Sequence, residues 1–144
     1  RMVKELPRLL AINDELENLV TPVDIVFGHN DLLAANFIDA GDRLWIVDWD
    51  YAGLGSPLFD LANLASNNAF DETRERRLLE AYFGAPPDDG LWRRYGAMKC
   101  ASLMREALWS MTSEIHSDLD FDYVAYTDDY LQRFEAAYQD FGRP

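Results

Sequence analysis

The stretch VFGHNDLLAANFI, residues 26–38, carries the most informative spacing in the chain. A short apolar run leads into His29, Asp31 follows two residues later, and Asn36 comes five residues after that acid. Apolar residues resume at once. This pattern predicts a short strand, then a loop that presents the acid and the amide at a fixed spacing.

The segment that follows, NFIDAGDRLWIVDW, predicts a β-hairpin. Phe37–Asp39 and Leu44–Val47 have the composition of strands, and an Ala-Gly-Asp turn separates them. Because a tight turn brings the outer ends of a hairpin together, we expect Asn36 and Asp48 to face each other at one end. Asp31, just after the preceding strand, is expected within reach of the same spot.

These three side chains suit the metal-assisted transfer of a phosphoryl group to a hydroxyl. Amide and carboxylate oxygens, as on Asn36 and Asp48, are ligands of Mg²⁺, with water and substrate phosphate completing the coordination. Asp31 is then placed to orient a hydroxyl and accept its proton. An Asp-x4-Asn loop followed by a metal-binding Asp is the arrangement of kinase-type phosphotransferases. His29 is expected to support the loop through a hydrogen bond to nearby backbone or carboxylate.

Helices are predicted on both sides of this β element. Apolar residues recur at helical intervals over residues 3–20, and Thr21-Pro22 ends that segment. In YAGLGSPLFDL the two glycines predict a loop, Ser56 a helix cap and Pro57 a first helical position. Three further helices are predicted, from near Asp71 to Phe83 with Gly84 as cap, from Asp88 or Asp89 through Met111, and from about Asp120 to Phe141. The fold class is therefore α+β and mainly helical.

Composition limits the classes of function. The net charge of −13 argues against nucleic acid or an anionic membrane as partner, because phosphate groups attract Lys and Arg; it permits a cationic partner or metal ions. No apolar run approaches the roughly 18 residues that span a bilayer. The one cysteine, Cys100, excludes an internal disulfide and fits a reducing, cytoplasmic compartment.

The segments GHNDLLAAN and IVDWDYAGLGSPLFDLANL resemble the aminoglycoside phosphotransferase and choline/ethanolamine kinase superfamily, specifically over residues 27–67. Its members fold like protein kinases and transfer the γ-phosphate of ATP to hydroxyls of small molecules. The resemblance implies that Asp31 is the catalytic base and that Asn36 and Asp48 bind Mg²⁺. It also implies a substrate or metal role for Asp50, a buttress for the loop from Asp60, and a lining of the adenine pocket from Ile38 and Val47.

The same resemblance implies a missing part. Kinase-like enzymes carry an N-terminal lobe with a phosphate-covering loop and a strand lysine. The sequence has no Gly-rich strand-turn-strand, and Lys4 and Lys99 lie in predicted helices. We therefore expect residues 1–144 to form the C-terminal, catalytic and substrate-binding lobe, with the N-terminal ATP-binding lobe outside this chain.

Aromatic residues in the second half favour a cationic substrate. Tyr123, Tyr126 and Tyr130 share one helix face, for which core packing is the default interpretation, but neighbouring acids suit an organic cation. The segment LWSMTSEIHSDLDFDYVAYTDDYLQRF resembles the C-terminal helices of choline kinases, which implies that Trp109 and Tyr126 enclose the head of a choline-like substrate. Glu106 stands where many choline kinases have tryptophan, which favours ethanolamine, another amino alcohol or a polyamine-like sugar.

Three functions remain open at this point. The first is ATP- and Mg²⁺-dependent phosphorylation of a small amino alcohol. The second keeps the fold but acts on an aminoglycoside, thiamine or a sugar. The third is a non-catalytic binding module, which the intact Asp31, Asn36 and Asp48 disfavour. A metal-dependent hydrolase would need more histidine ligands than His29 and His116.

Overall fold

Five α-helices and two small antiparallel sheets make up residues 4–20 and 24–142, the part of the chain that this computed structural model describes. The helices are α1 (Leu6–Val20), α2 (Pro57–Asn67), α3 (Glu72–Phe83), α4 (Asp89–His116) and α5 (Tyr123–Phe141). The strands are β1 (Val26–Gly28), β2 (Phe37–Asp39), β3 (Leu44–Ile46) and β4 (Gly53–Gly55). The predicted α+β class, mainly helical with a small hairpin, is confirmed.

The hairpin lies where the sequence places it. Strands β2 and β3 pair antiparallel, with Phe37 opposite Ile46 and Asp39 opposite Leu44, so β3 ends one residue earlier than predicted. The stretch 53–55 was expected to be a loop and instead forms β4, which pairs with β1. A strand of two glycines and one leucine has no alternation of apolar and polar residues, so the sequence carried no strand signal there.

Side chains near the helix ends explain most of the helix boundaries. Ser56 accepts a hydrogen bond from the backbone of the first turn of α2, and Asp88 does the same for α4. Helix α5 begins at Tyr123, later than the predicted Asp120, because Asp122 is the residue whose side chain caps it. Gly84 ends α3 with a φ of 79°, a left-handed conformation that glycine adopts without cost.

The first helix also departs slightly from its predicted bounds. It begins at Leu6, and Lys4, which was expected inside it, lies in the turn that precedes it. The predicted stop at Thr21-Pro22 falls outside the described residues. Within the described ranges, no helix has both the length and the apolar character that crossing a membrane requires.

Helix α4 is the centre of the packing. With 28 residues it contacts α1, α2 and α5, and it buries apolar side chains on opposite faces. One cluster joins it to α1 and α5 around Leu103 and Phe134, and a second joins it to α2 and α3 around Leu61 and Tyr95. Because α2 and α4 are fixed by this packing, any side chain they present to the strands has a defined position.

Candidate active site

The loop between β1 and β2 is held in place by one face of α2. The backbone N–H groups of His29 and Asn30 both donate to the Asp60 carboxylate, at 2.7 and 2.6 Å. The N–H of Leu32 donates to the side-chain oxygen of Asn63 at 2.6 Å. Asp60 and Asn63 are three residues apart and therefore share a helix face, so α2 sets the path of the whole loop.

His29 ties this loop to the end of the hairpin. Its ring is buried, with Nδ1 accepting the backbone N–H of Asp31 at 3.3 Å and Nε2 lying 2.9 Å from the carbonyl oxygen of Val47. Because Nδ1 acts as an acceptor, the proton belongs on Nε2, which donates to Val47. The imidazole ring therefore fixes the distance between the loop and the residue before Asp48.

Two residues of the site adopt left-handed backbone conformations. Asn30 has a φ of 64° and Asp48 a φ of 63°, values that are uncommon outside glycine. Two hydrogen bonds hold Asn30 in this conformation. Its side chain donates to the Tyr51 carbonyl at 3.1 Å, and the Arg105 guanidinium donates to the Asn30 carbonyl at 2.6 Å. Backbone held in this way by its surroundings is common at functional sites.

Asn36 and Asp48 lie at the same end of the hairpin. The Asn36 amide donates to the Asp31 carbonyl oxygen at 2.9 Å, which leaves its Oδ1 atom for another partner. The Val47 N–H donates to the Asn36 carbonyl at 3.0 Å, and Asp48 follows directly. An amide oxygen and a carboxylate fit a hard cation such as Mg²⁺. The described residues contain no cluster of three His, Cys, Asp or Glu side chains suited to a metal, so such an ion needs water and substrate oxygens as well.

The Asp31 carboxyl has the environment of a proton acceptor. Partial burial raises the pKa of Asp31 above its ordinary value, and the nearby Asp48 carboxylate adds to the rise. Arg105 and His29 oppose this change. A carboxyl group whose pKa is raised in this way is a stronger base than an exposed aspartate, which suits general-base chemistry.

A cavity of about 90 Å³ brings Asp31 together with α4 and α5. It is lined by Asp31, Leu33, Tyr51, Arg105, Glu106, Trp109 and Tyr126. It adjoins an open groove of about 460 Å³ that shares Tyr51, Arg105 and Trp109 and extends toward α1. Three of the side chains singled out from the sequence, Asp31, Trp109 and Tyr126, therefore meet in one cavity.

The tyrosine stripe of α5 divides into packing residues and a cavity residue. Tyr123 and Tyr130 are buried, as the default core interpretation expects. Tyr126 stacks on Tyr130 with ring centroids 4.5 Å apart and reaches the cavity. Trp109 approaches Tyr126 at 6.3 Å in an edge-to-face arrangement, so the aromatic side of the cavity belongs to a larger packed cluster.

The remaining predicted residues lie outside the cavity. His29 and Asp60 support the loop from behind, as described above. Asp50 is exposed and does not line the cavity. Ile38 is exposed and Val47 is half-buried on the hairpin, and neither lines the cavity.

Sequence reasoning missed several residues that build the site. Asn63 and Tyr51 position the loop, and Arg105 contacts both the loop and the cavity. Arg105 precedes Trp109 by four residues on α4, so a search of the same helix face would have found it. Asn63 follows Asp60 by three residues and was accessible to the same reasoning.

A larger cavity lies elsewhere in the described residues. It measures about 800 Å³, lies among α3, α4 and the end of α5, and includes none of the predicted site residues. We take the smaller cavity as the candidate active site because Asp31 and the aromatic side chains of Trp109 and Tyr126 converge there.

Comparison with known proteins identifies the family of the chain. Residues 2–97 match the phosphotransferase enzyme family. Protein LicA of Haemophilus influenzae is 28% identical over 138 residues, which cover 92% of this chain and 49% of LicA. Ethanolamine kinase 2 of Mus musculus is 30% identical over 138 residues, which cover 82% of this chain and 35% of that kinase.

A solved structure shows the same fold. The choline/ethanolamine kinase family protein from Mesorhizobium loti superposes with a TM-score of 0.82 at 28% identity, covering 95% of this chain and 46% of that one. The chain spans about half the length, or less, of these relatives.

Proposed function

This chain belongs to the phosphotransferase enzyme family, and from that premise we propose that it transfers the γ-phosphate of ATP to the hydroxyl of a small amino alcohol such as choline or ethanolamine, with Mg²⁺. The observation that carries the proposal is the cavity in which Asp31 meets Trp109, Tyr126 and Glu106. Relatives named for ethanolamine and for the choline/ethanolamine kinase family support the same substrate class.

The chain acts, in this proposal, as the C-terminal lobe of a two-lobed enzyme whose N-terminal ATP-binding lobe lies outside it. Large apolar side chains are concentrated on the outer surface of the sheets, where Leu54 is 78% and Phe27 66% exposed. Trp45 and Ile38 on the hairpin are half-exposed. Clustered exposed apolar side chains of this kind mark a contact surface. The coverage of about half of each relative supports the same view.

The chemistry of transfer centres on Asp31. The substrate hydroxyl loses its proton to the Asp31 carboxylate while its oxygen forms a bond to the γ-phosphorus and the bond from that phosphorus to the ADP oxygen breaks. Asn36 and Asp48 would hold a Mg²⁺ ion, which would neutralise the charges of the phosphate groups. Asp60 and His29 keep the loop still, so the base needs no rearrangement before the reaction.

The other end of the substrate lies on α4 and α5. Trp109 and Tyr126 present aromatic side chains to a cationic head at about 0.5–2 kcal/mol per face. Asp50, two residues beyond Asp48, is proposed to contact the substrate or the metal from the exposed side of the site. Ile38 and Val47 contribute the lower part of an adenine pocket that the N-terminal lobe completes.

A second substrate class on the same fold is favoured by one observation. The groove of about 460 Å³ beside the cavity can take a substrate larger than an amino alcohol, such as an aminoglycoside, thiamine or a sugar. It shares Arg105 and Trp109 with the small cavity, so a bulky substrate could extend outward from the same hydroxyl position.

A substrate panel tests the proposal. The enzyme that carries both lobes is incubated with ATP, Mg²⁺ and each candidate alcohol, and ADP release is measured. We expect small amino alcohols to give the highest kcat/KM, and Asp48→Ala to abolish Mg²⁺-dependent nucleotide binding. Preference for an aminoglycoside, thiamine or a sugar would replace the first substrate class with the second, and no alcohol-dependent ADP release would reject the activity.

A further inference from the structure

Glu106 places a buried carboxylate in the wall of the small cavity. The residue is 5% exposed, comes from the centre of α4, and lines the same space as Asp31 and Trp109. Burial raises the pKa of this carboxyl, as Asp31 does to a lesser degree, while Arg105 opposes the rise. An acid in such a position needs strong partners when it is charged.

The partners that the chain itself supplies are weak. The Tyr126 hydroxyl donates to Glu106 Oε2 at 3.4 Å, and the Nη1 of Arg105 lies 3.3 Å from Oε1. Charge-assisted hydrogen bonds are usually about 2.7–2.9 Å long. The short bond of Arg105, at 2.6 Å, goes instead to the carbonyl oxygen of Asn30. Because a carboxylate has about four acceptor positions, Glu106 retains capacity for a ligand's donors.

The aromatic side of the cavity is already partly occupied. The guanidinium of Arg105 lies over the Tyr51 ring, 5.1 Å from its centroid. One face of Tyr126 stacks on Tyr130. Of the three aromatic side chains that line the cavity, only Trp109 has no cation over its ring and no stacked partner among the described residues. A quaternary ammonium, which depends on several open aromatic faces, is therefore poorly served here.

From these contacts we propose that Glu106 makes the site selective for a primary ammonium, so that ethanolamine-class alcohols are preferred over quaternary ones. The inference rests on the proposed function. A primary ammonium has three N–H donors for the Glu106 carboxylate, whereas a quaternary nitrogen has none. A quaternary head would cover the carboxylate without bonding it, which leaves buried acceptors unpaired.

The size of the cavity points in the same direction. Its volume of about 90 Å³ is smaller than the roughly 150 Å³ cavity that accommodates benzene in an engineered protein core. Each methyl group added to the nitrogen therefore takes up scarce space and removes one donor at the same time.

A methylation series tests the selectivity in the two-lobed enzyme. Ethanolamine, N-methylethanolamine, N,N-dimethylethanolamine and choline contain three, two, one and no N–H donors on the ammonium. We expect kcat/KM to fall along the series, with a step of roughly 10-fold or more when the last donor is removed, because a site built for a donor rejects analogues that lack it.

Glu106→Gln isolates the contribution of the charge, since glutamine has nearly the same volume. We expect it to lower kcat/KM for ethanolamine by roughly 10- to 100-fold while choline changes by less than about 3-fold, because charge-assisted bonds are the ones removed. Asp118→Asn, which removes one negative charge from an exposed residue after α4, should change neither value. Glu106→Asp, which keeps the charge at shorter reach, should restore part of the preference.

The outcomes separate the two proposals. A wild-type enzyme that uses choline as well as ethanolamine, or a Glu106→Gln variant that loses both substrates equally at an unchanged Tm, overturns the role of Glu106. If neither alcohol is phosphorylated, the proposed function fails, and calorimetric competition between ethanolamine and choline still decides the preference. In that competition, tighter binding of ethanolamine that disappears in Glu106→Gln supports the inference, and equal binding contradicts it.

Discussion

The loop that carries Asp31 is held by hydrogen bonds within this chain, whereas the outer surface of the sheets is exposed. The loop has its backbone N–H groups bonded to Asp60 and Asn63, two residues of a helix in the packed interior. The sheets leave most of the Phe27 and Leu54 side chains exposed. In the proposed function, the residues for proton transfer are therefore positioned within this chain, whereas the nucleotide and the N-terminal lobe are expected to contact the exposed sheet surface.

The comparison predicts the largest effect for the chain by itself. Residues 1–144 alone should bind ATP·Mg²⁺ poorly and show no turnover, because the proposed N-terminal half of the phosphate cradle is absent. Nucleotide titration and ADP release, measured beside the two-lobed enzyme, check this. Robust amino-alcohol-dependent ADP production by the 144-residue chain would contradict the claim that catalysis needs a second lobe.

The second prediction contrasts two aspartates that accept backbone hydrogen bonds. Asp60 accepts two from the loop, and Asp39 accepts one from Gly41 in the exposed hairpin turn. Asp60→Ala should lower the free energy of unfolding by about 2–4 kcal/mol, since each buried N–H left unpaired costs about 1–3 kcal/mol.

Asp39→Ala is the matched control. Water can replace its carboxylate, so the change should stay within about 0.5 kcal/mol. Urea denaturation of both variants gives the two values. Equal losses would mean that the loop is no more firmly held than the hairpin turn.

The third prediction concerns Trp109, which lines the cavity beside Asp31 and is proposed to contact the cationic head of the substrate. If its ring holds a cation, Trp109→Leu should raise KM for the preferred amino alcohol by roughly 2- to 30-fold, the equivalent of about 0.5–2 kcal/mol. Trp109→Phe keeps an aromatic face and should lose less. KM for ATP should not change in either variant. A lower Tm in both variants without a substrate-specific defect would show that Trp109 serves packing alone.

The smallest effect on stability is expected for Leu54 on the exposed surface of the sheets. Leu54→Ser should change the unfolding free energy of the 144-residue chain by less than about 0.5 kcal/mol, because the side chain is already 78% exposed. In the two-lobed enzyme the same substitution should be destabilising, by about 1 kcal/mol or more, if the partner lobe covers Leu54.

Leu119→Ser provides the control for that contrast. Leu119 is 73% exposed and lies in the segment between α4 and α5, outside the sheets, so its substitution should be neutral in both forms. Thermal unfolding of the two variants, each in the 144-residue chain and in the two-lobed enzyme, measures the difference. A neutral Leu54→Ser in the two-lobed enzyme would show that the sheet surface stays uncovered.

The features that sequence predicted well are those set by local chemistry. The caps Ser56 and Asp88, the hairpin turn and the helical periods each depend on residues within one or two turns of one another. The order of His29, Asp31 and Asn36 likewise sits within one loop. Such features carry their signal in consecutive residues, so they are readable before the fold is known.

The features that sequence missed are contacts between distant segments. Arg105 bonds the carbonyl of Asn30, a partner 75 residues away in the chain. Asn63 reaches Leu32 across 31 residues. Strand β4 is defined by its pairing with β1 rather than by its composition. Their positions follow from how α2 and α4 pack, and that packing is a property of the whole fold.

The central claim is that Asp31 accepts the proton from an amino alcohol whose head lies in the adjoining cavity. Its most direct test follows labelled phosphate from γ-labelled ATP into the amino alcohol, with the two-lobed enzyme and its Asp31→Asn variant. The account predicts a labelled phosphorylated product in wild type and a fall in kcat of roughly 100-fold or more in the variant, with ATP affinity little changed. Near-wild-type transfer by Asp31→Asn would contradict it.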